Sequence, residues 1–151
     1  MPKRLGDLGP LALRLMLAVG FLYHGVPKIS SMAGHASFAV MLHGLGFPAP
    51  GPLAWLVGIA EVGGGLALLA GTLTVVVSAI LIVEMLVALW KVHGPNGFSF
   101  VHVTGMNGDA PVFGMPGYEV NLVYIAMLLA LALGGAGRWS VDAMRAAKRS
   151  A

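Results

Sequence analysis

Long apolar runs broken by single polar residues alternate along this chain with stretches rich in Gly and Pro. Leu11 to Ile29 is apolar except for Arg14, His24 and Lys28, and its length suits a membrane helix, which needs about 20 residues. Leu53 to Leu69 is a second such run, carrying Glu61 beside Gly63-Gly64-Gly65; Leu73 to Trp90 is a third, with Glu84 near its middle; Val120 to Ala136 is a fourth. Only Gly71-Thr72 separates the second run from the third, so those two must return antiparallel. Residues 30–52 read as a polar connector in which Phe38, Met41, Leu42 and Leu45 have the spacing of a short amphipathic helix on the membrane surface. Residues 94–116 form a second connector with a turn at Asn107-Gly108-Asp109. The pattern predicts an all-α transmembrane four-helix bundle, one domain over residues 1–151, with spans at about 11–29, 53–69, 73–90 and 120–136.

Composition strengthens the membrane reading. With 58% hydrophobic residues, 10% charged residues and a mean hydropathy of +0.86, the chain has too little polar surface to cover a soluble globule. It has no cysteine, which excludes disulfides, CxxC redox pairs and thiolate ligands, so any redox role rests on a bound cofactor, a quinone or a partner protein. A net charge of +3 invites a nucleic-acid reading, but the basic residues gather at the two ends with no interleaved aromatics, and no nucleic-acid partner is expected. Their distribution sets topology instead. Lys3 and Arg4 lie at one end and Arg138, Arg145, Lys148 and Arg149 at the other, whereas the long connectors hold only Lys28 and Lys91 at their junctions. Both termini are therefore expected in the cytoplasm, with the connectors 30–52 and 94–116 outside. Ser31-Met32-Ala33 offers a signal-peptidase-like site, but Pro27 and Lys28 separate it from the apolar run and Arg14 interrupts the run, so the segment is expected to stay as a helix.

Threaded this way, the buried ionisable residues converge. At a rise of about 1.5 Å per residue, His24 and Lys28 fall in the last turns of the first span, Glu61 about two turns into the second, His93 at the end of the third and Glu119 at the start of the fourth. All lie toward the outer side. His24 and Lys28 share a helix face, as do Gly58, Glu61 and Gly65, whose small residues let a neighbouring helix approach the carboxylate. A charge at the bilayer centre costs roughly 2.5–3.5 kcal/mol, so Glu61 needs a partner or a proton, and Lys28 is the leading partner. Glu84 is a separate problem, with Arg14 as a candidate partner and protonation as the alternative.

Each signal also has a plainer reading. His24 could hydrogen-bond a helix carbonyl, Lys28 and Lys91 could snorkel, His93 could end a helix, and Glu119 could complement a helix dipole. The convergence of four helices on one level is what favours a site.

The ordered set His24-Gly25-x-x-Lys28, Gly46-Phe47-Pro48, Glu61-x-Gly63-Gly64-Gly65, His93-x-x-Asn96-Gly97-Phe98, Gly117-Tyr118-Glu119 and Gly135-Ala136-Gly137-Arg138-Trp139-Ser140-x-Asp142 resembles the DoxX family of small bacterial membrane proteins. The resemblance implies a four-helix bundle in the bacterial inner membrane and an association with oxidoreductases, since relatives include a subunit of a thiosulfate:quinone oxidoreductase. The chain departs from it at Gly71-Thr72-Leu73-Thr74, where many relatives carry Thr-Arg, and in a longer connector between Phe98 and Gly117.

Two functional readings result. In one, the chain is the membrane subunit of a quinone-linked oxidoreductase: Lys28 and His24 contact the oxygens of a quinone or small anion, Glu61, His93 and Glu119 exchange protons, and Asn96 and Tyr118 complete the ligand contacts. In the other, it is a non-catalytic binding, transport or assembly module whose ionisable cluster fixes helix register. A metal held by His24, Glu61, His93 and Glu119 is a weaker variant of the first, because no ligand spacing within one helix supports it. Lipid is the certain environment, a redox protein a candidate partner, and the glycine-rich faces permit an oligomer.

Overall fold

The computed structural model describes residues 8–149, so the basic start with Lys3 and Arg4 lies outside the described residues. Helix α1 runs Leu8–Ser30, α2 Met32–Gly44, α3 Pro50–Ala70, α4 Thr74–Ala88, α5 Glu119–Gly134 and α6 Val141–Arg149. Three helical stretches are long and apolar enough to cross a membrane: Leu8–Ser30, Pro50–Ala70 and Thr74–Asn96. α5 is apolar but has 16 residues, a length of about 24 Å.

Three features correct the expected layout. The chain is not all-α, because the second connector holds an antiparallel hairpin, β1 Val103–Asn107 with β2 Ala110–Phe113. Asn107 pairs with Ala110 across the Gly108-Asp109 turn, and Gly108 takes the positive φ of +61° that such a turn needs. The first connector is mostly helix: α2 is longer than the apolar spacing implied and sits against both α1 and α3. The basic tail is itself helical, as α6.

The core is a layer of aliphatic and aromatic side chains shared by the four apolar helices. Leu17, Ala18 and Phe21 of α1, Leu68 of α3, Leu81 of α4 and Leu128 and Leu131 of α5 are all buried. Against lipid, such contacts gain by close packing rather than by escape from water. Glycine makes the α1–α3 contact tight. A Cβ at Gly58 would lie 2.6 Å from Ile29 Cγ2, and one at Gly25 would lie 2.7 Å from Glu61 Cβ.

Arg14 organises the end of the bundle formed by the C-terminal end of α3 and the turn after α5. It is 2% exposed, and its hydrogen bonds go to backbone carbonyls rather than to Glu84, the candidate partner read from sequence. Its Nε donates to Leu68 O (2.7 Å) and Nη2 to Leu69 O (2.6 Å), while Nη1 donates to Ala136 O (3.0 Å) and Trp139 O (2.9 Å). One guanidinium thereby serves the C-terminal end of α3 and the turn after α5, where carbonyls lack intrahelical donors and the helix dipoles are negative.

The matching N-terminal problem, at α4, is solved from a distance. α4 begins after Leu73, a residue held in the left-handed region at φ 51° and with no side-chain oxygen to cap the helix. Asp142 supplies the cap: Oδ1 accepts from Leu73 N and Oδ2 from Thr74 N, each at 2.9 Å. Burial alone would raise the Asp142 carboxyl, but the N–H groups of Thr74 and Leu73 and the charge of Arg145 outweigh it and hold the group below the ordinary aspartate range. Arg145 also donates to Thr72 Oγ1 (3.2 Å) in the turn between α3 and α4. Gly71 is obligatory between these groups, since its φ is +66° and a Cβ there would lie 2.7 Å from Arg14 Cζ.

Candidate functional site

The opposite end of the bundle is built more loosely. Ser31 caps α2 by accepting from Gly34 N (3.2 Å), and α2 folds back across the end of α1. That turn brings the Phe38 ring to 4.2 Å from Lys28 Nζ, a cation–π contact. Across the α1–α3 seam, Lys28 Nζ pairs with Glu61 Oε2 at 2.5 Å, with side chains 14% and 5% exposed. Gly25 and Gly58 bracket this pair and set its depth, because their missing side chains let the two backbones approach.

Beyond the pair lies a cavity of about 1010 Å³ between the helices. His24, Lys28, Glu61 and His93 all line it, so the structure brings together four of the residues singled out from sequence. It adds Glu84, Asn121 and Tyr124. Glu84 lies close enough to Glu61 and Lys28 for its carboxyl group to feel both charges. Its Oε2 is buried without a hydrogen-bond partner among the described residues. The polar end of the cavity therefore holds one ammonium and two carboxyl groups, while most of the remaining wall is apolar, including Phe21, Phe47, Val57 and Met85.

His93 reaches this wall through an irregularity. After Ala88 the helix widens into a π turn over Leu89–His93 and then tightens into a 3₁₀ turn over Gly94–Asn96. Such turns shift the register of the side chains after them and recur at functional sites. His93 Nδ1 lies 2.9 Å from Pro116 O. A carbonyl only accepts, so Nδ1 carries the hydrogen there and the other ring nitrogen of a neutral His93 is left as an acceptor.

Glu119, Asn96 and Tyr118 have a different place. They form a clasp between the Asn96–Phe100 and Gly117–Glu119 segments rather than a wall of the cavity. Glu119 Oε2 accepts from Phe100 N (2.9 Å), Asn96 Nδ2 donates to Val92 O (3.1 Å), and the Tyr118 ring packs edge-on against Phe98 at 5.6 Å. Backbone bonds complete the clasp: Gly117 N to Ser99 O, Tyr118 N to Gly97 O and Glu119 N to Phe98 O. A Cβ at Gly117 would lie 2.6 Å from Ser99 O, so the close crossing needs glycine. With Glu119 drawn to Phe100, the four-ligand metal set is not assembled, and among the described residues no group of three or more His, Asp or Glu is placed to hold a metal ion.

Comparison with protein-family models finds the one described as DoxX over residues 9–94, more than half of the chain. No curated protein and no solved structure matches.

Proposed function

Because this chain belongs to the DoxX family, we propose that it is the membrane subunit of a quinone-linked oxidoreductase system. Family membership and the three long apolar helices make it a multi-pass membrane protein. In the proposed topology α5 completes a four-span bundle in the bacterial plasma membrane. The Lys and Arg residues around both termini then face the cytoplasm and the cavity opens near the outer leaflet.

The observation that carries the reading is the cavity itself: about 1010 Å³ of largely apolar space whose wall includes Lys28, Glu61, Glu84, His24 and His93. A quinone has this polarity profile, with an apolar tail and two head oxygens. Lys28 and His24 donate to a head oxygen, and Glu61 and His93 exchange protons with the quinone: the carboxylate and the free ring nitrogen each take up a proton first and then pass it on as the electrons arrive. The electrons come from a partner protein, since the chain has no cysteine. Glu119, Asn96 and Tyr118 act indirectly, by holding His93 in place through the clasp.

The test is native mass spectrometry of the protein in mild detergent with decylubiquinone, for wild type, Glu61→Gln and His93→Ala. Retention by wild type and loss in both variants is the expected result. Undiminished binding in both variants, with normal thermal stability, would refute it. A second reading, a non-catalytic module, is favoured by the closure of the Lys28–Glu61 pair upon itself; it requires an empty wild type and variants that melt early.

A further inference from the structure

We infer that the occupant of this cavity arrives from the lipid phase: an uncharged amphipathic molecule enters sideways between α3 and α4, and its hydroxyl or carbonyl head meets Glu84 beside the Lys28–Glu61 pair. This deepens the ligand-pocket reading above and rests on it.

The first support is the shape of the α3–α4 cleft. The two helices touch where Leu81 fills the space over Gly64, a Cβ there lying 3.0 Å from Leu81 Cδ1. Beyond that point the cavity separates them. Leu56 of α3 and Ile80 and Val83 of α4 line the cavity yet are 63%, 52% and 61% exposed, so the wall is open on the face that meets acyl chains. Of the three long apolar stretches, Thr74–Asn96 is the least covered by the rest of the chain: 11% of its most apolar part is buried, against 33% for α1 and for α3.

The second support is the roof. Phe38 and Met41 of α2, Phe47 after it, and Phe100 and Met115 of the second connector line the side away from the core. A water-borne molecule would have to cross this aromatic and methionine layer, whereas a lipid-dissolved one would not.

The third support is charge. The ionisable groups in the wall are His24 and Lys28 from α1, Glu61 from α3, Glu84 from α4 and His93 from the π turn; α5 adds only Asn121 and Tyr124, and α2 adds none. The charge of the ammonium is offset by Glu61 and Glu84 adds a second carboxyl group, so a small anion would meet no net positive charge from these three side chains. An uncharged head, by contrast, satisfies the orphan Oε2 of Glu84, a hydroxyl by donating to it and a carbonyl by accepting from the carboxyl in its protonated form.

The test uses protein in lipid nanodiscs with decylubiquinone, monoolein and oleate as probes, followed by native mass spectrometry and stopped-flow association. Half-saturation should track the mole fraction of decylubiquinone in the lipid rather than its total concentration. Leu56→Trp and Ala60→Phe, which fill the cleft, should slow association about tenfold, whereas Phe47→Ala, which thins the roof, should change it less than about twofold. Leu56 faces lipid, so its variant tests the route even if Ala60→Phe misfolds.

Unchanged rates in Leu56→Trp with acceleration by Phe47→Ala would overturn the lateral route while leaving the quinone reading intact. Tighter retention of oleate than of monoolein would overturn the charge argument. Monoolein binding with the same Leu56 dependence, but no decylubiquinone binding, would refute the quinone reading and leave this inference standing. Binding of no probe, or a dimer that covers the α3–α4 face and is lost in Leu56→Trp, would overturn it.

Discussion

Replacing Arg14 by Met keeps the length of the side chain and removes its charge and donors. Of the four carbonyls it serves, Leu68 O keeps a bond from Gly71 N, whereas Leu69 O, Ala136 O and Trp139 O depend on the guanidinium. At about 1 kcal/mol for each orphaned carbonyl, the variant should lose about 3 kcal/mol. For a chain of this size that corresponds to a fall in Tm of about 6–12 °C. Arg14→Lys should lose about half as much, because an ammonium keeps its charge near both helix ends but lacks the fork that reaches α3 and the post-α5 turn together. The assay is thermal unfolding in one detergent, monitored by tryptophan fluorescence. A Tm for Arg14→Met within about 2 °C of wild type would refute the reasoning. So would a recovery of Tm on adding Glu84→Gln, since that would mean Arg14 serves Glu84 rather than the carbonyls.

The remaining predictions concern the cap, the seam and the carboxyl pair. Asp142 has a depressed folded-state pKa, so its stabilisation is complete above its unfolded value of about 3.9 and is lost as pH falls through the lower folded value. Asp142→Asn should therefore cost about 1 kcal/mol at neutral pH and flatten the loss of Tm below about pH 4; an unchanged acid limb would count against the cap. Gly58→Leu should push α1 from α3 and break the Lys28–Glu61 contact, which would show as a Tm loss together with a loss of decylubiquinone; full retention of both would contradict the seam. Glu61→Gln alone should be mild, because Lys28 can turn to Glu84, whereas Glu61→Gln with Glu84→Gln strands the ammonium and should cost about 3 kcal/mol. A double-mutant cycle in guanidine-free SDS titrations should then show coupling of at least about 1 kcal/mol, and strict additivity would rule out a shared site.

The sequence makes some of this site readable and hides the rest, for physical reasons. Lys28 and Glu61 can be paired in advance because a four-residue spacing and flanking glycines specify a helix face, and charge in lipid demands a partner. Arg14 cannot be placed that way, because its partners are backbone carbonyls, which every residue possesses and no motif announces. Asp142 caps a helix 68 residues away, so the usual local N-cap signature is missing at Leu73. The hairpin is visible only as its turn, since Gly105 and Pro111 break the alternation that identifies strands. Depth alone puts Glu119 in the outer cluster, and depth does not say that Phe100 N would claim its carboxylate. Glu84 stands out as an unexplained mid-span charge, but its proximity to Glu61 depends on the angle between α3 and α4, which sequence does not encode.

Arg14 also has a consequence in time. Its first partners, Leu68 and Leu69, are 54 and 55 residues further along the chain, and its last, Ala136 and Trp139, are 122 and 125 residues away. At roughly 5–20 residues per second, the ribosome delivers the last of them about 6–25 s after Arg14 itself. Until Leu68 and Leu69 are made the guanidinium, near the end of an apolar helix, has none of its acceptors, and from then until Ala136 it has half of them. Lipid phosphates or the insertion machinery must hold it until then. A nascent chain stalled before Ala136 thus carries a chemical mark of incompleteness, a half-coordinated arginine at the membrane surface, for a quality-control protease to recognise.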